Sequence, residues 1–229
     1  MTKTEIFSAR GWLSEHPASF RKAIIDAGLP VTVASGRTVF REGEHSSGLF
    51  GVVAGAVGMT GGHKRATPRL GHIMRDGEWF GAKAPLDGGP RDLTYCAIET
   101  THLLFVANAR LSKMMRENTD VAIRVGQLAE IGARLGRWVA RDLLTRDAGR
   151  RAAAVLLRVL GAGELAPSDP RGFRLTQQML AEMTNLSRHH VCRKLADFEA
   201  AGWIHCGYNR IRLLDAEGLA AYAYQDDEP

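Results

Sequence analysis

One stretch near the C-terminus, residues 173–215, constrains the fold more than any other part of this chain. Two helical patterns follow each other there with only a short connection between them. Thr176 and Ser187 can each cap a helix through a side-chain oxygen, and Asn185 permits a sharp turn between the two helices. This arrangement predicts a helix-turn-helix. The predicted helices are residues 177–183 and 188–200.

The second of these helices has an apolar side and a basic side. Val191, Leu195 and Phe198 recur at spacings of four and three residues, which places them on one buried face. Arg188 and Arg193 fall on or near the other side. An arginine can donate two hydrogen bonds to the O6 and N7 acceptors of guanine in the major groove. The pattern therefore predicts a helix that reads double-stranded DNA.

A β-hairpin wing is predicted directly after this helix, with strands at 203–205 and 210–214. The complete pattern favours DNA binding over the alternative of a solvated basic helix. We expect the two arginines to contact base edges, and the start of the first helix and the wing to contact the DNA backbone. The N–H groups beside Ser187 can hold a phosphate, and His189 is expected to alter the half-site preference. The predicted DNA-binding residues are Thr176, Gln177, Ser187, Arg188, His189, Arg193 and Arg210.

Residues 32–106 have a different texture, with short alternating runs between glycine-rich turns. Gly61 and Gly62, directly after one such run, are a strong turn signal. Many short strands separated by such turns favour an antiparallel barrel or jelly roll. The predicted strands are 37–40, 49–54, 57–60, 69–74, 93–97 and 101–106.

The segment from 109 to 144 contains no proline and predicts a long helix, whose start Thr119 or Asn118 could cap. Its apolar positions recur at spacings of four and three residues, a heptad-like seam in which Gly132 fills one step. A helix of about 24 residues would be roughly 36 Å long, which is too long for one small barrel to bury. The alternative is a helix lying along its own barrel, but we expect the seam to pair with a second copy of the chain. The predicted dimerisation residues are Val121, Val125, Leu128, Gly132, Leu135 and Val139.

These features together resemble the Crp/Fnr family of bacterial transcription regulators, over almost everything from about Val33 to Leu214. The resemblance is strongest in LTQQMLAEMTNLSRHHVCRKLADFEAAGWI, which is similar to the family's helix-turn-helix. RTVFREGEHSSGLFGVVAGAVGM looks like the start of its cyclic-nucleotide-binding-type jelly roll, and GEWFG like a later glycine turn. The resemblance implies an α+β chain with a β jelly-roll sensor domain (1–108), a dimerisation helix (109–145) and a winged helix-turn-helix (146–229). It also implies a homodimer on a two-fold symmetric operator, with RNA polymerase as a partner.

The chain departs from the nucleotide-binding members of this family in one cassette, GAKAPLDGGPRDLTYCA. In those members a Gly-Glu pair holds the ribose hydroxyl, and a later Arg-Ser or Arg-Thr pair holds the cyclic phosphate. Here Ala82 stands at the glutamate position and cannot accept a hydrogen bond. In an ungapped comparison Asp92 stands at the arginine position, where it would repel a phosphate by about 4 kcal/mol at ~4 Å and an effective dielectric near 20.

These departures argue against cyclic AMP as the effector. A slipped loop that supplies Lys83 or Arg91 as the cation remains an alternative. The predicted effector-pocket residues are Gly81, Ala82, Lys83, Arg91, Asp92 and Thr94.

Other cofactors are disfavoured by the distribution of their ligands. An iron–sulfur cluster needs grouped cysteines, whereas the chain has three that lie far apart. A haem needs an axial ligand, but a lone histidine in a β domain is more often structural. The effector therefore stays unknown, with redox sensing at Cys192 and Cys206, or the absence of any effector, left open. The histidines considered for haem are His45, His63, His72 and His102.

Neither an enzyme nor a membrane protein is expected. The alternative is a small-molecule-binding or cupin-like metal-dependent β-roll protein without DNA regulation. Cupins usually need a His-x-His motif, which the sequence lacks, so we expect no metal site.

The net charge of +5 permits a nucleic-acid partner. No apolar run approaches the ~18 residues of a membrane span, the first residues lack the apolar centre of a signal peptide, and no disulfide framework is visible. We therefore expect a cytoplasmic protein.

Overall fold

The computed structural model describes residues 2–62, 67–161 and 172–225. The chain divides into two compact units, residues 1–136 and residues 137–229. The first unit combines helices with two β-sheets, and the second is mainly helical with one small sheet. The predicted α+β class is confirmed.

The N-terminal unit begins with two helices that the sequence patterns did not predict. A capping box starts the first, because Thr2 Oγ1 accepts a hydrogen bond from the Glu5 amide while the Glu5 carboxylate accepts one from the Thr2 amide. Each helix has an apolar side, on which Phe7 and Ile24 are fully buried. The helices are α1 (Lys3–Ala9) and α2 (Ala18–Ala27), and a 3-10 turn over Trp12–Glu15 joins them.

The centre of this unit is a β-roll made of eight strands among the described residues. The strands are β1 (Leu29–Val33), β2 (Thr38–Phe40), β3 (Gly48–Ala54), β4 (Val57–Gly61), β5 (Arg69–Met74), β6 (Trp79–Phe80), β7 (Thr94–Ala97) and β8 (Thr101–Ala107), with α3 (Lys83–Asp87) between β6 and β7. They form two antiparallel sheets, ordered β1-β8-β3-β6 and β2-β7-β4-β5. The predicted jelly roll is confirmed, and its alternating runs predicted every described strand except β1 and β6.

The helices cover one face of the first sheet. Leu49 of β3, Trp79 of β6 and Leu104 of β8 lie in one apolar cluster with the buried side chains of α1 and α2. Full burial of a large apolar side chain stabilises a fold by about 1.5–3 kcal/mol. This cluster therefore fixes the N-terminal helices onto the roll.

Two helices follow β8: a short one, which the sequence did not separate from the long helix, and the long helix itself, which begins at the predicted cap. They are α4 (Asn108–Glu117) and α5 (Thr119–Leu144), and Asn118 separates them. The Asn118 side-chain oxygen accepts a hydrogen bond from the Asp120 amide at 2.9 Å, which satisfies one of the free amides at the start of α5. The 26 residues of α5 are close to the predicted length.

The first half of α5 packs against its own unit. Val121, Val125 and Leu128 are buried in the same apolar cluster as α1 and α2. This placement corrects the prediction that they pair with a second copy, because their own unit already removes them from water. The rest of the predicted seam comprises Leu135, which is buried, Val139, which is half-buried, and Gly132, which is exposed.

The C-terminal unit contains the predicted winged helix-turn-helix. Its elements after α5 are α6 (Ala148–Leu160), β9 (Phe173–Arg174), α7 (Gln177–Thr184), α8 (Arg188–Ala200), β10 (Ile204–Gly207), β11 (Arg210–Leu213) and α9 (Ala216–Ala223). The strands form an antiparallel sheet in the order β10-β11-β9. Across the described residues of both units, no helix combines the length and apolar character needed to cross a membrane.

Candidate nucleic-acid interface and sensor site

Local hydrogen bonds fix the helix-turn-helix. Thr176 Oγ1 accepts a hydrogen bond from the Met179 amide at 3.1 Å, and Ser187 Oγ accepts one from the His190 amide at 3.3 Å. Asn185, which ends α7, has a φ of 52°, a left-handed backbone conformation that asparagine tolerates. These are the caps and the turn that the sequence predicts, and they determine where α8 begins.

Helix α8 has one buried side and one exposed basic side. Val191, Leu195 and Phe198 are buried in the C-terminal unit, whereas Arg188 and Arg193 are exposed. Within the described part of the chain, Arg193 has no hydrogen-bond or ion-pair partner. Its guanidinium is therefore available to an external acceptor.

The side chain of Gln177 connects the two helices of the motif. Its Oε1 accepts a hydrogen bond from Arg188 Nε at 3.3 Å, and its Nε2 donates to Cys192 Sγ at 3.6 Å. The sequence placed Gln177 beside the DNA backbone, whereas its contacts in the free protein are to the exposed face of α8. The remaining predicted residues of α8 are also at the surface: Ser187 and His189 are both exposed.

The wing presents a second set of polar side chains. Arg210, predicted as a backbone contact, is half-buried and donates a hydrogen bond from Nη1 to the Gly172 carbonyl at 2.7 Å, which braces the wing. Arg212 is exposed on the same face, and Tyr208 at the hairpin tip is 94% exposed. Tyr208 and Arg212 were not among the DNA contacts that the sequence predicted. The hairpin turn at Asn209, with its alternating strand residues, could have identified both as exposed wing residues.

The sensor cassette contains a buried cation, Arg91. It donates from Nη1 to the Gly81 carbonyl at 2.9 Å and from Nη2 to the Gly48 carbonyl at 2.6 Å. Gly81 has a φ of +91°, and a Cβ at this position would lie 2.5 Å from Arg91 Nη1, so only glycine fits there. Burial lowers the pKa of the Arg91 guanidinium, while the charges of Tyr95 and Glu44 oppose that shift.

Aromatic side chains surround this guanidinium inside the roll. The Arg91 Cζ lies 4.0 Å from the centre of the Phe40 ring, a cation–π arrangement. Tyr95 stacks on Phe80 with ring centres 4.6 Å apart, and burial raises the pKa of its hydroxyl. The connected rings are Phe40, Phe50, Phe80, Tyr95 and Phe105.

Asp92 is placed differently from what the sequence predicted. It lies at the surface and forms an ion pair with Lys83 at 2.7 Å, where both side chains are more than half exposed. Asp92 therefore does not place a negative charge inside the pocket as the sequence predicted, because its side chain is exposed and Lys83 balances its charge. Thr94 has a structural role, since its Oγ1 accepts a hydrogen bond from the Glu42 amide at 3.0 Å.

The residues of this cassette do not fit a cyclic nucleotide of the usual binding mode. Ala82 is buried in the apolar cluster and offers no carboxylate to a ribose. Arg91, the buried cation, already donates to two backbone carbonyls. A cyclic nucleotide bound in that mode would find no carboxylate for its ribose. Its phosphate would also have to compete with two carbonyls for Arg91.

Of the four histidines considered for haem, His72 and His102 have protein partners and His45 is exposed. His72 Nε2 is 3.8 Å from Glu78 Oε1, and His102 Nδ1 is 3.1 Å from Thr32 Oγ1. His63 is outside the described residues. The described residues contain no group of three histidine, cysteine or carboxylate side chains that could hold a metal ion.

Two domain families match the chain. The cyclic nucleotide-binding domain family matches residues 30–118, and the Crp-like helix-turn-helix domain family matches residues 150–222. Fold and site thus define a transcription regulator that combines a β-roll sensor with a winged helix-turn-helix. The chain belongs to the Crp/Fnr family of regulators.

Individual relatives agree with this assignment. A CRP-like cAMP-activated global transcriptional regulator of Mycobacterium tuberculosis is 26% identical over 198 residues, which are 85% of this chain and 88% of that protein. The cyclic AMP receptor protein of Thermus thermophilus is 28% identical over 191 residues, covering 82% and 85% of the two chains. Among solved structures, FixK2 from Bradyrhizobium japonicum shares the fold with a TM-score of 0.74 at 20% identity, covering 87% of this chain and 99% of that chain.

Proposed function

We propose that this chain is a homodimeric transcription regulator that recognises a two-fold symmetric DNA operator. The observation that carries the proposal is α8, whose start is fixed by Ser187 and whose exposed side presents Arg188 and Arg193. Two exposed guanidinia in the first two turns of a helix suit the guanine acceptors of the major groove. Two copies would read half-sites about one helical turn apart.

The roles of the interface residues follow from their surroundings. Arg188 and Arg193 read base edges, and His189 alters the half-site preference because a neutral imidazole presents one donor and one acceptor. Thr176 and the amides after Ser187 lie at helix N-termini, where a phosphate is stabilised. The guanidinium of Arg212 is exposed on the wing and adds a sequence-independent contact to the DNA backbone.

The dimer forms through the exposed face of α5. This face carries apolar side chains at its ends, with Ile123 58% exposed and Leu144 80% exposed. The small residues Gly126, Ala133 and Ala140 lie between them and alternate with the charged residues Glu130 and Arg137. A side chain added at Gly126 would meet no atom within 4 Å. Two such helices can approach closely along a heptad-spaced stripe. The stripe comprises Ile123, Gly126, Ala133, Ala140 and Leu144.

The sensor domain does not use cyclic AMP in the manner of its named relatives. The absence of a carboxylate at Ala82 supports this, as do the two carbonyls that engage Arg91. The hydrogen bonds from Arg91 to the Gly81 and Gly48 carbonyls hold the cassette together without a nucleotide. The effector is therefore a different molecule, or the domain works without one.

The chain acts by binding rather than by catalysis. It works in the cytoplasm, where the bacterial chromosome lies, and RNA polymerase is the partner that would convert DNA binding into a change of transcription. The support for these statements is the family assignment, whose named relatives are transcription regulators.

A binding selection on randomised DNA tests the proposal. We expect the wild-type protein to enrich an inverted repeat, and the double variant Arg188→Ala, Arg193→Ala to lose that enrichment. Lys113→Ala is the matched control, because Lys113 is also an exposed cation but lies in α4, where it pairs with Glu117. Failure of the wild-type protein to enrich any sequence, with the fold intact by circular dichroism, would contradict the proposal.

A further inference from the structure

The amide of Gln177 has a fixed orientation between two residues of α8. A guanidinium carries only donors, so the amide must present its oxygen to Arg188 Nε, at 3.3 Å. The amide nitrogen then faces Cys192 Sγ, at 3.6 Å, and a thiol sulfur is a weak acceptor. Arg188 and Cys192 are four residues apart and therefore neighbours on one helix face.

This contact restricts how Arg188 can meet a base. With Nε already donating to Gln177, the two terminal nitrogens remain for an external acceptor pair. In the described residues they have no other partner. An end-on guanidinium with both Nη groups free has the geometry for O6 and N7 of one guanine.

We propose that Gln177 is a specificity-determining positioning residue, which holds Arg188 in the orientation that reads a guanine instead of chiefly anchoring a phosphate. The inference rests on the proposed function, since it requires that Arg188 contacts a base. Part of the preference for DNA sequence then depends on α7, and not only on α8, the helix that contacts the bases. Removal of Gln177 should free Arg188 to swing toward phosphates, which lowers discrimination more than affinity.

The test is binding selection together with affinity measurements on the selected operator and on single-base variants. Arg188→Ala first identifies the base pair that Arg188 reads. Gln177→Ala should lower the preference at that base pair by about three- to tenfold, the range of one hydrogen bond, and leave the Arg193-dependent base pair unchanged. Gln177→Glu keeps an oxygen for Arg188 and should preserve the preference while lowering affinity for all DNA, because the added carboxylate repels phosphates.

Gln178→Ala is the matched control, because Gln178 is the next residue of α7 and its amide pairs with Glu182 at 3.4 Å. It should change neither the preference nor the affinity by more than about twofold, as expected for an exposed surface substitution. An even loss of affinity in Gln177→Ala, with unchanged base preferences and a smaller salt dependence, would overturn the inference and make Gln177 a phosphate anchor. A wild-type protein that selects no sequence would overturn the proposed function and this inference with it.

Discussion

The buried carboxylate of Asp142, near the end of α5, accepts a hydrogen bond from Arg158 Nε of α6 at 2.7 Å. Both side chains are almost completely inaccessible to solvent. Within the C-terminal unit this pair joins the last turn of the long helix to the helix that precedes the DNA-binding motif. A buried pair contributes little net stability, but the loss of one partner leaves an uncompensated charge.

We therefore expect Asp142→Asn to destabilise the C-terminal unit by about 3–5 kcal/mol. Chemical denaturation followed by far-ultraviolet circular dichroism measures this change. Asp26→Asn is the control, because Asp26 also pairs with a cation, Lys22, but at the surface. That control should change stability by less than about 1 kcal/mol, and equal effects of the two substitutions would refute the prediction.

The two faces of α5 should respond differently to substitution. Ala133→Glu places a charge on the exposed stripe and should convert dimers to monomers without unfolding the chain. Leu128→Ala should leave dimers intact and lower the stability of the N-terminal unit by about 2–5 kcal/mol, because it opens a cavity in a packed core. Light scattering and thermal denaturation distinguish these outcomes. Dimers that persist in both Ala133→Glu and Ala140→Glu would place the interface elsewhere.

The sensor cassette should not bind cyclic AMP. Calorimetry at millimolar nucleotide should detect no specific heat, and a micromolar dissociation constant would contradict the assignment. Arg91→Gln should lower the stability of the N-terminal unit by about 2–6 kcal/mol, because each of the two carbonyls left unsatisfied costs ~1–3 kcal/mol. Lys83→Gln is the control, since its ion pair with Asp92 is exposed and should contribute less than about 1 kcal/mol.

Base reading and backbone anchoring should separate between α8 and the wing. Arg193→Ala should lower affinity by about 1–3 kcal/mol per half-site and relax the preference at one base pair. Arg212→Ala should weaken binding to all sequences and flatten its salt dependence by about one unit of slope. Arg210→Ala should weaken all binding as well and also loosen the wing, because Arg210 donates to the Gly172 carbonyl. A sequence preference that changes in Arg212→Ala but not in Arg193→Ala would reverse this division.

The two cysteines of the DNA-binding unit should react at different rates. Burial, with smaller effects of Glu199 and Cys192, raises the pKa of the Cys206 thiol to about 11. At pH 8 only about one part in a thousand of Cys206 is thiolate, and the thiolate is the reactive form. Alkylation by iodoacetamide should therefore be slow at Cys206, accelerate about tenfold per pH unit, and be much faster at the exposed Cys192. Peptide mass spectrometry over a pH series checks this, and equal alkylation rates of the two thiols at pH 8 would contradict the raised pKa of Cys206.

The local signals of the sequence determined the elements of the C-terminal motif. The caps at Thr176 and Ser187, the turn at Asn185 and the apolar spacing of Val191 and Leu195 are all local chemistry. Each of these signals involves residues only a few positions apart, so the sequence alone predicts the elements they form. The same holds for the β-roll strands, whose alternation and glycine turns are local, whereas the short strand β6 has too few residues to show a period.

Tertiary packing alone decided which side of α5 is free and which cation lies inside the roll. The seam of Val121, Val125 and Leu128 is apolar whether it faces a second copy or its own unit, and only the position of α1 and α2 shows that it faces its own unit. Likewise, Arg91 and Asp92 are adjacent in the sequence, but Arg91 is buried and Asp92 is exposed. The contacts with Gly48 and with Lys83 determine which of the two is buried. The sequence thus specifies residue chemistry and local structure, while burial, which depends on distant segments, determines what each residue can bind.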